Sequence, residues 1–206
     1  MNAADDQYRL SFTTGGLFHS ESIPLVSAFL SGREWDELRS ELVDGDELHV
    51  RTHGSRMRIS REIIARLREL NEKDLQFFTE ASYQEQKYVL WVAACRRFTF
   101  IREFAIEVLR ENYLTMKNSV ELEEFDVFFN RKAQIYDEVD DLKELTRKKL
   151  RQNLFRIMRE ADLITDNHMI APPVLTPGFV ELMKISSPDD LKTFPVSASD
   201  LERWGA

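Results

Sequence analysis

YQEQKYVLWVAACRRFTFIREFAIEVLRENYL, residues 83–114, is the stretch from which the rest of the chain is read. It opens with the longest uninterrupted apolar run in the sequence, the eight residues Tyr88 to Cys95. A helix over 83–96 that carries this run is apolar on most of its sides, which places it at the centre of a core rather than on a surface. Residues 98–114 follow closely as a second helix, with Phe100 or Ile101, Phe104, Val108 and Leu109 turned inward and Arg102 and Glu103 turned outward. A bilayer span needs about 20 apolar residues, so even this run predicts no membrane helix.

Working outward, the flanking segments read as helices that could cover such a centre. Toward the N-terminus, Tyr8, Leu10 and Phe12 alternate as a short extended stretch before Gly15 and Gly16. A helix follows, capped by Ser20 or Ser22, with Pro24 in its first turn and its end near Gly32. Trp35, Leu38 and Leu42 mark a second helix over 33–43, and Ile59, Ile63, Leu67 and Leu70 a third over 55–70. Residues 74–81 form a short helix before the central pair. Beyond it lies an acidic helix over 121–136 with Leu122, Phe125, Phe128 and Phe129. A long helix over 137–159 has Val139, Leu142, Thr146, Leu150, Leu154 and Ile157 on one side. Residues 163–170 read as a small hairpin turning at Asp166 and Asn167 and closed by Pro172 and Pro173, and a helix followed by a hairpin is the pattern of a winged helix. Thr176 with Pro177, and Ser197 with Asp200, signal two more helix starts.

Composition agrees with an all-α chain. Among 206 residues there are only seven Gly and six Pro, with 43% hydrophobic and 31% charged residues. Gly and Pro punctuate helices, whereas Leu, Glu, Arg and Lys lose little rotamer freedom inside them. The expected fold is a compact multi-helix bundle, divisible into residues 1–136 and 137–206 or continuous across both. The acidic start MNAADDQYRL lacks the basic and apolar regions of an export signal, and Cys95, the single cysteine, has no partner for an internal disulfide. A cytoplasmic protein is expected.

Several chemistries lack their carriers. There is no GxxxxGK[ST] loop, no GxGxxG, no HExxH and no paired CxxC. His19, His49, His53 and His168 are scattered over caps and loops, so no metal site, cofactor or small-molecule substrate is expected. Cys95 with His49 or His53 could be imagined as a thiol and its base, but a thiol in an apolar run is better read as core. Pro188, Asp189, Asp190 and Lys192 superficially resemble the PD and (D/E)xK residues of metal-dependent nucleases. That site needs acids on separate strands reaching one ion, and here they are adjacent at a helix start, where the helix dipole favours them. No catalytic residue is expected.

The net charge of −8 argues weakly against a generic polyanion binder, yet the charge is sorted into blocks. Residues 51–110 hold twelve basic against eight acidic side chains, and 143–160 seven against two. Screening over about 8 Å means that a phosphate feels the nearby block more than the molecular total. The first block contains Arg51, Arg56, Arg58, Arg61, Arg66 and Arg68 with no lysine among them, which suits bidentate contact with phosphate. Helical geometry sets Arg58, Arg61 and Arg68 opposite the apolar stripe. The second block contains Lys143, Arg147, Lys148, Lys149, Arg151, Arg156 and Arg159, with Lys148, Gln152 and Arg159 opposite the stripe of the long helix. Two readings stand: these faces hold a nucleic-acid backbone, or they pair with carboxylates of this chain or a partner. Arg147 and Arg151 in particular could pair with the acidic segment 121–141.

Five segments, SFTTGGLF (11–18), SRMRISREIIARL (55–67), the central stretch 83–114, RKKLRQNLFRIMREADLI (147–164) and FPVSASDLERW (194–204), resemble the BrxA family of bacterial BREX (bacteriophage exclusion) phage-defence systems. The resemblance runs along nearly the whole chain in one order and is weakest over 121–141 and 44–50. It implies a non-enzymatic cytoplasmic protein with a NusB-like helical arrangement that binds double-stranded DNA beside other BREX components, a methyltransferase among them. It carries no contact residues with it. The residues expected to touch duplex backbone are therefore Arg51, Arg56, Arg58, Arg61, Arg68, Lys143, Arg147, Lys148, Arg151, Gln152 and Arg159. An adaptor that docks on protein partners without DNA, and an RNA-binding module, are the alternatives.

Overall fold

A computed structural model describes residues 8–45, 48 and 50–205. Its helices are α1 (His19–Leu30), α2 (Trp35–Asp44), α3 (His53–Leu67), α4 (Glu72–Glu80), α5 (Tyr83–Arg97), α6 (Thr99–Phe104), α7 (Glu111–Leu114), α8 (Leu122–Ala133), α9 (Asp137–Asp140), α10 (Glu144–Glu160), α11 (Pro177–Ser186) and α12 (Ala198–Trp204). A π-helical turn, Ala105–Arg110, joins α6 to α7, and a 3-10 turn, Pro188–Thr193, follows α11. No strand forms among the described residues.

Helix α5 is the axis of the bundle. All eight residues from Tyr88 to Cys95 are buried, because α5 packs against α1, α3, α4, α6, α10 and the 3-10 turn. Trp91 has no exposed surface, and its indole N–H donates to the Thr193 carbonyl at 3.2 Å, which satisfies the one polar atom of a large apolar side chain. Phe100 and Phe104 of α6 meet Phe128 of α8 edge to face, at centroid distances of 5.0 and 5.3 Å. The buried apolar residues form one cluster extending from Tyr8 to Leu201.

Capping chemistry explains half of the helix starts among the described residues. Asn71 with Asp74 and Ser82 with Glu85 close reciprocal capping boxes at α4 and α5. Thr176 accepts from the Phe179 N–H ahead of Pro177, and Ser197 from the Asp200 N–H, as the sequence predicts. Helix α1 departs from the expectation. It begins at His19 behind Phe18, whose φ of 60° is left-handed, and the Ser22 hydroxyl donates back to the Phe18 carbonyl instead of capping. Pro24 consequently lies inside the helix.

The long helix expected over 137–159 is two pieces. α9 ends at Asp140 and Lys143 is extended before α10. Asp137, Glu138, Asp140 and Asp141 all stay in the α9 turn, where the Asp141 N–H still donates to the Asp137 carbonyl, so crowding among these acids does not account for the break. The expected hairpin over 163–170 turns back on itself, but its pairing is a single antiparallel bridge between Ile164 and Ile170, and Met169 bridges instead to Ser119. Nothing in the residue pattern marks the π-helical turn.

The segment before α1 is a non-helical strap. Phe12 is fully buried, and Asn153 of α10 donates to its carbonyl at 2.8 Å. Gly15 lies so close to α10 that a Cβ there would stand 2.1 Å from Asn153 Oδ1. The Leu17 N–H donates to Glu160, also on α10. From the other side, buried Arg66 of α3 donates to the carbonyls of Gly16 at 2.7 Å and Thr14 at 3.3 Å.

Cys95 is buried at the core, and burial, reinforced by the Asp190 carboxylate, pushes its thiol well above the ordinary range. Native protein is therefore expected to resist iodoacetamide and to alkylate fully in denaturant. Native labelling at the rate of a free peptide thiol would contradict this placement.

Candidate nucleic-acid interface

The first basic block is built on α3. Thr52 caps it by accepting from the Ser55 N–H at 3.2 Å, and no acid occupies its first turn. Ser60, Ile63, Ile64 and Leu67 turn into the core, which leaves Arg58 and Arg61 exposed on the far edge. Arg51 is exposed just before the helix. Among the described residues none of these three has an ion-pair partner; Arg58 makes one 3.3 Å contact to the Ser55 hydroxyl. Arg39 of α2, half-buried and also without an ion pair among the described residues, joins His53, Met57 and Arg61 in lining a cleft of about 220 Å³ between the two helices. The sequence reading missed Arg39 because it lies outside the two basic blocks, and the packing of α2 on α3 brings it to the row.

The other arginines of this block play different parts. Arg56 donates to the Gly45 carbonyl at 3.2 Å and tethers the loop between α2 and α3. Arg68 pairs with exposed Asp36 at 2.9 Å, a surface bridge of at most about 1 kcal/mol. Arg66 is only 3% exposed, paired with Glu62 at 2.6 Å and set over the Phe18 and Phe98 rings. Burial lowers the pKa of its guanidinium, and Glu62 opposes that effect. It is a structural cation, not a member of the outer row.

The second block, on α10, is largely compensated. Arg147 and Arg151 both bond the Asp126 carboxylate of α8, and Arg147 also donates to Asn130 and lies 4.6 Å from the Phe129 centroid. This is the pairing with the acidic segment that the sequence allowed. Lys148 lies 3.7 Å from Glu144, Arg156 2.6 Å from Glu160, and Arg159 3.8 Å from exposed Asp166. Lys143, Lys149 and Gln152 are exposed without a hydrogen-bond or ion-pair partner among the described residues. One carboxylate shared by two guanidinium groups leaves a single positive charge, so α10 offers less free cation than its composition suggests.

No group of three or more His, Cys, Asp or Glu that could hold a metal occurs among the described residues. His53 is exposed at the α3 start while Cys95 is buried, and His49 lies outside the described residues. Asp189 and Asp190 both fall in the first turn of a helix, the 3-10 turn, as expected; beyond that expectation, Asp190 is fully buried and bonded to Arg96 and Arg102, whereas Asp189 pairs with Lys192 at 2.6 Å. Arg102 and Glu103, expected to look outward, turn to neighbours: Arg102 to Asp190, and Glu103 to Lys132 and the Tyr8 hydroxyl. No helix among the described residues is long and apolar enough to cross a membrane.

Fold and surface together define an all-helical protein with a guanidinium-rich edge on α3. A family model described as BrxA matches residues 6–186, and the chain belongs to the BrxA family. The BREX protein BrxA of Bacillus cereus (strain H3081.97) is 23% identical over 148 residues, which cover 70% of this chain and 74% of that protein. A crystal structure of an uncharacterized protein from Magnetospirillum magneticum aligns with a TM-score of 0.77 at 18% identity, over 92% of this chain and 100% of that one. That likeness speaks for the fold alone.

Proposed function

We propose that this BrxA-family protein is a non-enzymatic, cytoplasmic component of a BREX phage-defence system that binds double-stranded DNA by its phosphates. The observation that carries the reading is the edge formed by Arg51, Arg58 and Arg61 with Arg39 beside it, four guanidinium groups without carboxylate partners among the described residues. Phosphate contacts position a protein without reading bases, so sequence preference is weak. Of the second block only Lys143 and Lys149 are without a carboxylate partner among the described residues, so it contributes less.

The test is a titration of random-sequence duplex at several salt concentrations. Four engaged cations give a slope of log affinity on log salt of about −3 to −4. Arg58→Glu with Arg61→Glu weakens binding by tenfold or more, and because both side chains are exposed the melting temperature stays within about 2 °C of wild type. Unchanged binding by a folded double variant would refute the α3 assignment. No binding by the wild type at low salt would favour the adaptor reading, and tighter binding to RNA than to duplex DNA the RNA one.

A further inference from the structure

Where the two basic helices approach each other, a cleft of about 450 Å³ opens between Ile59 of α3 and Arg156 and Glu160 of α10, with Gly16 and Phe18 of the strap, His19 of α1, and Tyr83 and Lys87 of α5 completing its walls. Tyr83 stands out in it. The chain has 14 Phe, five Tyr and three Trp, and Tyr83 alone among them is exposed, with 63% of its surface open. The His19 ring braces it edge-on at 4.6 Å, and the Lys87 ammonium lies 4.7 Å from its centroid. His19 is itself fixed by a 2.9 Å bond to Gln86, and Lys87 by a 2.6 Å bond to Asp162. The ring is thus held in place by its neighbours while most of it faces solvent. Leu17, Leu48, Val50 and Ile59 supply an apolar lining.

The cleft has the size of a small-ligand site, and its chemistry is that of a stacking platform beside cations. Arg156 bonds Glu160 through Nε, and its Nη2 lies 3.5 Å from where a Cβ on Gly16 would stand, at the cleft wall. Glu21 and Glu160 also line the cleft, so the lining as a whole is close to neutral. A neutral, roomy site with an open aromatic face suits the base of a nucleotide better than its phosphate. We infer that this cleft takes one unpaired nucleobase of a DNA strand, stacked on Tyr83. The inference goes beyond duplex binding: the strand held on the α3 edge passes a site that only an unpaired or extruded base can enter.

The experiment compares full-length wild type, Tyr83→Ala and Tyr83→Phe. The probes are an oligothymidylate strand carrying one 2-aminopurine, a perfect duplex, and the same duplex with an unpaired 2-aminopurine bulge. Stacking of one base on an aromatic ring predicts a loss of about tenfold in affinity for the single strand and the bulge on Tyr83→Ala. Tyr83→Phe retains wild-type affinity, because a ring and not a hydroxyl makes the stack. Wild-type protein quenches the 2-aminopurine fluorescence, Tyr83→Ala does not, and perfect-duplex affinity is the same for all three. Equal single-strand affinity for wild type and Tyr83→Ala, or a Tyr83→Phe variant as weak as Tyr83→Ala, would overturn the inference. Failure of perfect-duplex binding with 2-aminopurine quenching intact would overturn only the α3 reading.

Discussion

Asp190→Ala is expected to destabilise the protein by about 3–5 kcal/mol, the range for removing one partner from a buried ion pair. Asp190 is fully buried and accepts from Arg96 Nε at 2.7 Å and from Arg102. Arg96 reaches on with Nη1 to the equally buried Asp74 at 2.6 Å, and Ser186 donates to the same carboxylate. The network therefore ties α4, α5, α6, α11 and the 3-10 turn around two carboxylates with no access to water. Removing Asp190 leaves Arg102 without this partner and Arg96 with one carboxylate instead of two. Denaturant unfolding measures the loss, and the melting temperature should fall by roughly 6–20 °C in a chain of this size. A cost below about 1 kcal/mol would mean that solvent reaches these groups and screens them.

Gly15→Ala carries the second large effect, about 2–4 kcal/mol. The added Cβ would stand 2.1 Å from Asn153 Oδ1 and 2.6 Å from its Cγ, distances at which something must move. Asn153 is 3% exposed and its amide holds the Phe12 carbonyl, so displacing it adds a broken buried hydrogen bond to the overpacking. The two positions should couple. Asn153→Ala alone also destabilises, but in the Gly15→Ala background it removes the clash, so the double variant costs less than the two singles together. Strict additivity would show that the strap and α10 are not in contact in solution.

Much of the fold was legible because helical signals are local. The caps at Thr176 and Ser197 are short-range hydrogen bonds, and the eight apolar residues of α5 declare a buried axis without reference to any other segment; the boxes at Asn71 and Ser82 are equally local but went unread, which is why α4 was expected to start at residue 74 and not at Glu72. Arg66 was legible too, though composition obscured it. It follows Ile59 by seven residues, which at helical periodicity puts the two within about 20° on one face, so its place in the interior follows from spacing. What spacing could not give were the long-range partners. The sequence allowed Arg147 and Arg151 the acidic segment 121–141 but did not single out Asp126, and Asp190 between Arg96 and Arg102 and Arg39 beside Arg61 depend on which helices become neighbours. The Tyr83 cleft draws on the strap, α1, α3, α5 and α10 at once, and no window of sequence contains it. The left-handed Phe18 that starts α1 was hidden for a related reason, since the neighbouring Leu17 N–H is satisfied from Glu160 on a distant helix.

The strap also orders events during synthesis. Phe12 and Asn153 are 141 residues apart in the chain, and Leu17 and Glu160 are 143 apart. While a ribosome is still translating α9, Phe12 has no α10 to be anchored to. The strap therefore cannot be anchored until about 140 further residues have been made, and the 3-10 turn that closes over Trp91 and Arg96 is later still.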